Sequence, residues 1–197
     1  MGVSGTFSVP PSGPLARVKA TTVRVRDQYV LARFGKTGLE RYRESCSPHL
    51  LETLLTPGDR WVDFGQFIEA TELCCRLFAE GDLTMSRDIG RFAAEANMGV
   101  WRSLVYRVLS PATVLSIAAG LWSHHYEGGR LVATANGPRG VRIRIEDFPT
   151  PHRTHCLSVE GWARRTVELG RPQRVSVVET RCRLRGGDAC ELVGEWE

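Results

Sequence analysis

The stretch VVETRCRLRGGDACELVGEWE sets Glu179 and Cys182 before a Gly-Gly-Asp turn and Cys190 after it. Thiolate sulfur, carboxylate oxygen and imidazole nitrogen are the ligands of a closed, tetrahedral structural zinc site. The arms of a tight hairpin can bring Cys182 and Cys190 together. Glu179 lies three residues before Cys182, so in an undistorted strand the two face opposite sides. One ion could reach both only if the strand bulges around Thr180 and Arg181. Cys156 stands 23 residues before Glu179, at the start of the helix leading into the hairpin, where a helix N-terminus favours the thiolate. The competing reading is an ordinary hairpin in which Cys182 and Cys190 fill the sheet core as small hydrophobes and Glu179 sits on the wet face. His152 and His155 flank the entry to the cysteine helix. Pro149 and Pro151 favour an extended approach there, so both histidines read as capping or loop residues, with either as a substitute ligand should Glu179 face away.

A second set of residues suggests binding rather than catalysis. Phe92, Met98, Trp101, Tyr106, Trp122 and Tyr126 crowd the helices before the first hairpin. Apolar and aromatic side chains line small-molecule pockets, although they also build ordinary cores. His124 and His125 close one of these helices, where imidazoles suit the C-terminal end of the dipole. The sequence has no GxSxG elbow, no GxxxxGK[ST] loop and no GxGxxG turn, so the reading leans away from an enzyme.

The elements that must position these residues follow from periodicity. Residues 1–16 form a flexible leader rich in Gly, Ser and Pro. A short strand is expected from Arg17 to about Arg26, then a helix over RDQYVLARFG ended by Gly35, then a helix over TGLERYRES with Thr37 and Glu40 as a capping box. DFGQFIEATELCCRLFAEG has the apolar spacing of an amphipathic helix. SRDIGRFAAEANM, VWRSLVYRVL and SPATVLSIAAGLWSHHY also read as helices, the last with Ser110 and Pro111 as its start signal. After residue 128 the period changes. Arg130–Asn136 and VRIRIEDF form a hairpin with Val141, Ile143 and Ile145 on one face and Arg142 and Arg144 on the other. CLSVEGWARRTVELG is helical, and RPQRVSVVETRC pairs with CELVGEWE. The expected class is α+β: an antiparallel sheet of about four strands with several helices packed on it. Residues 17–197 are read as one domain, helical over 17–127 and sheet-rich over 128–197.

Bulk properties narrow the function classes. The chain has 197 residues, is 42% hydrophobic and carries a formal net charge of +4. It is long enough to bury a sizeable core. Its arginines are dispersed, so a nucleic-acid partner is not indicated. No apolar run is long enough to span a membrane and no export signal precedes the chain. A cytoplasmic location is expected, with the six cysteines as thiols or ligands.

The acid three residues before a cysteine, the eight-residue step to the next cysteine and the Gly-Asp between them resemble the 4-vinyl reductase-type ligand-binding domain. That domain is the sensory module of phenol-responsive bacterial activators, and its fold is related to TRAPP subunits. From about Val18 to Trp196 the chain also resembles a group of about 200-residue proteins abundant in myxobacteria. Shared segments are SPATVLSIAAGLWSHHYEGG, the FPTPH step and the final CxxxGGDxC hairpin. The resemblance implies a structural zinc held by Cys156, Glu179, Cys182 and Cys190, and a homodimer. The reading is therefore a small-molecule-binding sensor module. Its ligand would be a small apolar or aromatic molecule. Because the chain stops at Glu197, without the activators' output domains, its signal would pass through a dimer or an unidentified downstream protein. The alternatives are a protein-interaction adaptor with a filled interior and a tetrapyrrole-related enzyme or accessory protein.

Overall fold

The computed structural model describes residues 16–98, 109–170 and 172–197. The expected VWRSLVYRVL helix lies almost wholly outside these residues. Strand β1 (Arg17–Lys19) is short, and helix α1 (Ala20–Glu44) begins where the strand was expected to continue. The reason lies in the spacing of the buried side chains: Ala20, Val23, Arg26 and Val30 recur at intervals of three and four, which suits a helix and not a strand. Gly35 adopts φ +69°, a conformation that costs glycine little, and divides α1 into two helical segments, at the residue where the first helix was expected to end.

Helix α2 (Pro48–Leu55) starts at Ser47, whose side chain accepts from the Leu50 amide. After β2 (Trp61–Asp63), helix α3 (Phe64–Phe78) opens on Asp63, which accepts from the Gly65 amide. Then come α4 (Met85–Met98), α5 (Pro111–Gly120), α6 (Trp122–His125) and β3 (Tyr126–Glu127). Ser110 caps α5 by accepting from the Thr113 amide, and Pro111 supplies its first residue. Strands β4 (Arg130–Ala135) and β5 (Gly140–Glu146) precede α7 (Arg153–Leu169), which is followed by β6 (Ser176–Arg181) and β7 (Cys190–Glu195).

Among the described residues there are two antiparallel sheets. The larger runs β4-β5-β7-β6. Its inner face buries Leu131, Val141, Ile143, Ile145, Val177 and Leu192. Arg142 and Arg144 lie on the other face, paired with Glu191 at 3.1 Å and Asp188 at 3.0 Å. The smaller sheet, β2-β1-β3, pairs strands of three, three and two residues. Strands this short leave no readable alternation in sequence.

Helices α4 and α7 cross at glycine. A Cβ on Gly90 would stand 2.0 Å from the Ser158 carbonyl oxygen, and one on Gly161 would stand 2.0 Å from that of Arg87. Ion pairs flank the crossing: Arg87–Glu160 at 2.6 Å, Arg91–Glu168 at 2.9 Å and Arg165–Glu95 at 2.6 Å. This close seam fixes two walls of the cavity described next.

Candidate functional site: a cavity with a buried arginine

A cavity of about 240 Å³ lies where α1, α3, α4, α5, α6 and α7 converge. Ile89, Ala93, Ala94, Val114, Leu121 and Val159 supply much of its apolar wall. Thr21, Thr22, Arg26 and His125 supply polar groups. Trp122 and Tyr126 also line it, their rings stacked at 4.3 Å. Of the other residues expected to form a pocket, Phe92 packs edge-on against Tyr29 at 5.7 Å and is not among the described wall residues. Trp101, Tyr106 and the Met98 side chain lie outside the described residues.

Arg26 is 3% exposed. Its Nε donates to Thr71 Oγ1 at 3.0 Å, its Nη1 donates to the Thr22 carbonyl at 2.7 Å, and its guanidinium carbon lies 3.7 Å from the centre of the Phe67 ring. Burial lowers its pKa from the ordinary value; Tyr126 and Cys74 act in the opposite direction. A guanidinium nevertheless stays protonated in proteins. His125 also faces the cavity, with Nδ1 3.3 Å from Thr22 Oγ1. Burial pushes its imidazole pKa down, with Asp59 opposing. Neither residue was singled out in sequence as a pocket group. The signal for Arg26 was a charge on the apolar stripe of α1, visible only once that segment is read as a helix.

His155 lies behind this wall, in contact with Phe64, Phe67, Trp122, Tyr126 and Phe148, and its Nε2 has no hydrogen-bond partner among the described residues. It belongs to α7, not to a loop, because the helix starts at Arg153. Burial, with Arg26 and His152 adding, pushes its imidazole down to about 3. His152 lies at the N-cap position, 3.5 Å from Glu72 and 2.9 Å from Thr154 Oγ1.

The C-terminal constellation assembles in part. Cys156, Cys182 and Cys190 are buried with their sulfurs within 4.8 Å of one another, and Cys156 lies 3.7 Å from Cys190. The Cys156–Cys190 contact lowers the Cys190 thiol below its ordinary range and raises Cys156 above it. The ladder shifts register between Glu179 and Arg181. Glu179 nevertheless turns to two cations: Arg153 donates to it at 2.7 Å, and Arg185 donates from the other side.

Fold and site together define an α+β structure with a partly open cavity beside its N-terminal helix. No protein-family model matches the chain, and no curated protein matches it. Solved structures do. An H-NOX protein from S. oneidensis in the Fe(II)NO ligation state superposes with a TM-score of 0.69 at 13% identity, covering 90% of this chain and 98% of that one. The unliganded Fe(II) H-NOX protein from K. algicida gives 0.66 at 9% identity, covering 91% and 96%. A structure probing heme distortion in the H-NOX family gives 0.64 at 11% identity, covering 90% and 94%. The chain thus shares the H-NOX fold.

Two expectations are corrected here. The fold is that of H-NOX proteins and not the 4-vinyl reductase or TRAPP type; the short cysteine motif marks one hairpin, whereas the likeness found here covers nine-tenths of the chain. Structural zinc as the cofactor is overturned as well. The fold's solved examples are described with Fe(II) and heme, and the carboxylate expected to complete the zinc shell is held by Arg153 and Arg185.

Proposed function

We propose that the chain is a small-molecule-binding sensor module whose ligand occupies the cavity under α1. Its output would pass to a partner protein or a second copy. The observation that carries this reading is the cavity itself: apolar walls, a few convergent polar groups and a largely preformed shape are the marks of a small-molecule site. The fold likeness supports it, since the S. oneidensis neighbours are described with NO or CO ligated to their Fe(II). An adaptor with a filled interior is disfavoured by the same cavity. Among the described residues no helix is long and apolar enough to cross a membrane.

The fold neighbours raise heme as the bound group, and the residues here do not fit it. A cavity of about 150 Å³ holds benzene, and pockets for drug-sized ligands run from about 300 Å³ upward. At about 240 Å³ this cavity suits one ring or a short branched chain, not a porphyrin of four pyrroles with its side chains. Heme iron takes an axial His, Cys, Met or Tyr. The described wall offers one imidazole, His125, and no Cys or Met. Residues 98–108, MGVWRSLVYRV, contain no His or Cys; Met98 and Tyr106 are the axial-ligand types there, and their side chains lie outside the described residues. Tyr126 is stacked on Trp122, and burial pushes its phenol up to about 12, against the phenolate an iron would bind.

The test is thermal shift with a panel of single-ring compounds on wild type and on Ala118→Phe, which places a ring in the cavity wall. Wild type should melt higher with at least one compound and the filled variant should not respond. An equal response in both proteins would place binding elsewhere and sink the reading.

A further inference from the structure

We infer that the ligand of this cavity is a small organic carboxylate, its anionic group paired with the Arg26 guanidinium and its apolar body lying against Ile89, Ala94, Val114, Leu121 and Val159. This rests on the small-molecule reading above and names the ligand's chemical class.

Arg26 stands apart from arginines elsewhere in the fold. Arg43, Arg87, Arg91 and Arg153 keep about a third of their side chains exposed, and each has a carboxylate within 2.9 Å. Arg26 is far more buried and has no ion-pair partner among the described residues. No Asp or Glu is found among the described residues lining the cavity. The groups that bear electrostatically on the guanidinium are Tyr126, Cys74, Tyr42 and Cys75. Phenols and buried thiols are neutral near pH 7, so none supplies a counter-charge.

Thr71, the Thr22 carbonyl and the Phe67 ring engage Nε, one Nη1 hydrogen and one face of the cation. The Nη2 hydrogens and the second Nη1 hydrogen have no partner among the described residues. Buried charges in folded proteins are paired. This one borders a cavity, and that is where a counter-ion can enter.

The anion's type follows from the same wall. One planar fork of donors matches one carboxylate in bidentate geometry. A phosphate dianion would bring more charge than this wall can offset, because Arg26 is the one Arg or Lys among its described residues and Thr21, Thr22, Ser158 and Thr166 are neutral. The cavity volume limits the body to about one ring or a short branched chain.

The experiment is isothermal titration at pH 7 of benzoate and cyclohexanecarboxylate, each against its neutral amide of the same shape. The proteins are the full chain as wild type, Arg26→Gln and Arg26→Lys. Wild type should bind the acids roughly 10- to 100-fold more tightly than the amides, the worth of a charge-assisted hydrogen-bond pair. Arg26→Gln should remove the difference, and Arg26→Lys should keep part of it. Equal binding of acid and amide by wild type would overturn the carboxylate and leave the small-molecule reading standing. Binding of neither class at millimolar concentration would overturn both. Should Arg26→Gln not fold, the wild-type comparison and Arg26→Lys still decide.

Discussion

The guanidinium of Arg26 lies 3.7 Å from the centre of the Phe67 ring, on the wall of a cavity with no carboxylate among its described lining residues. A cation held on an aromatic face gains some of what it loses on leaving water, but less than a paired ion would. The ligand-free protein therefore carries an energetic burden at the point where the ligand is proposed to bind.

Arg26→Met should relieve that burden. Thr71 Oγ1 still donates to the Phe67 carbonyl at 2.7 Å after the change, so no buried polar atom is orphaned. The ligand-free variant is expected to be more stable than wild type by about 1–4 kcal/mol, the range seen when buried ionic groups are replaced by apolar ones. Urea denaturation of both dialysed proteins measures it. A loss of stability would mean that the charge is already compensated.

The α4–α7 seam should not tolerate a methyl group. Gly90→Ala and Gly161→Ala each push a Cβ into a backbone carbonyl that cannot rotate away. Each is expected to cost about 1–3 kcal/mol and to weaken binding of a cavity ligand by moving two of its walls apart. Wild-type midpoints in denaturant for both variants would refute this packing.

His155 makes the fold acid-sensitive. Its folded pKa is near 3, whereas the unfolded imidazole titrates near 6.5. Between those values only the unfolded chain takes up the proton, so stability falls as pH drops below about 6.5, by at most about 1.4 kcal/mol per pH unit. His125 and His152, also lowered by burial, act in the same direction. His155→Phe, which suits the surrounding rings, should flatten this acid limb without abolishing it. Denaturation at pH 7, 6, 5 and 4 measures the slope, and parallel wild-type and variant curves would refute the assignment.

Glu179 is predicted to serve packing. With its side chain 7% exposed it ties α7, through Arg153, to the turn carrying Arg185. Glu179→Gln should cost about 1–3 kcal/mol, as for hydrogen bonds to charged groups, and leave acid binding in the cavity unchanged. Melting curves with and without benzoate separate the two effects.

What the sequence made legible was set by the length of its patterns. The β4–β5 hairpin, with Val141, Ile143 and Ile145 inward, and the α3 stripe of Phe64, Phe67, Leu73 and Cys74 repeat often enough to read. So does the α5 start at Ser110 and Pro111. The β2-β1-β3 sheet does not, and α1 was misread at its start because Val18, Thr22 and Val23 fit a strand locally. That error hid Arg26, whose meaning depends on sharing a helix face with Thr22 and Tyr29. The cysteines were found by spacing, and three of them do meet. Glu179 was assigned to them because spacing says nothing of Arg153 and Arg185, the cations that take its carboxylate instead. Trp122 and Tyr126 line the cavity, while Phe92 shows that aromatic residues alone do not distinguish a cavity wall from a core.

The most direct measurement of the central claim is native mass spectrometry of the purified chain, combined with its absorption spectrum and negative-ion analysis of whatever is released on unfolding. The account predicts no heme absorption band and a mass excess of one small molecule per chain, released as an organic anion. A stoichiometric heme band with matching iron would contradict it.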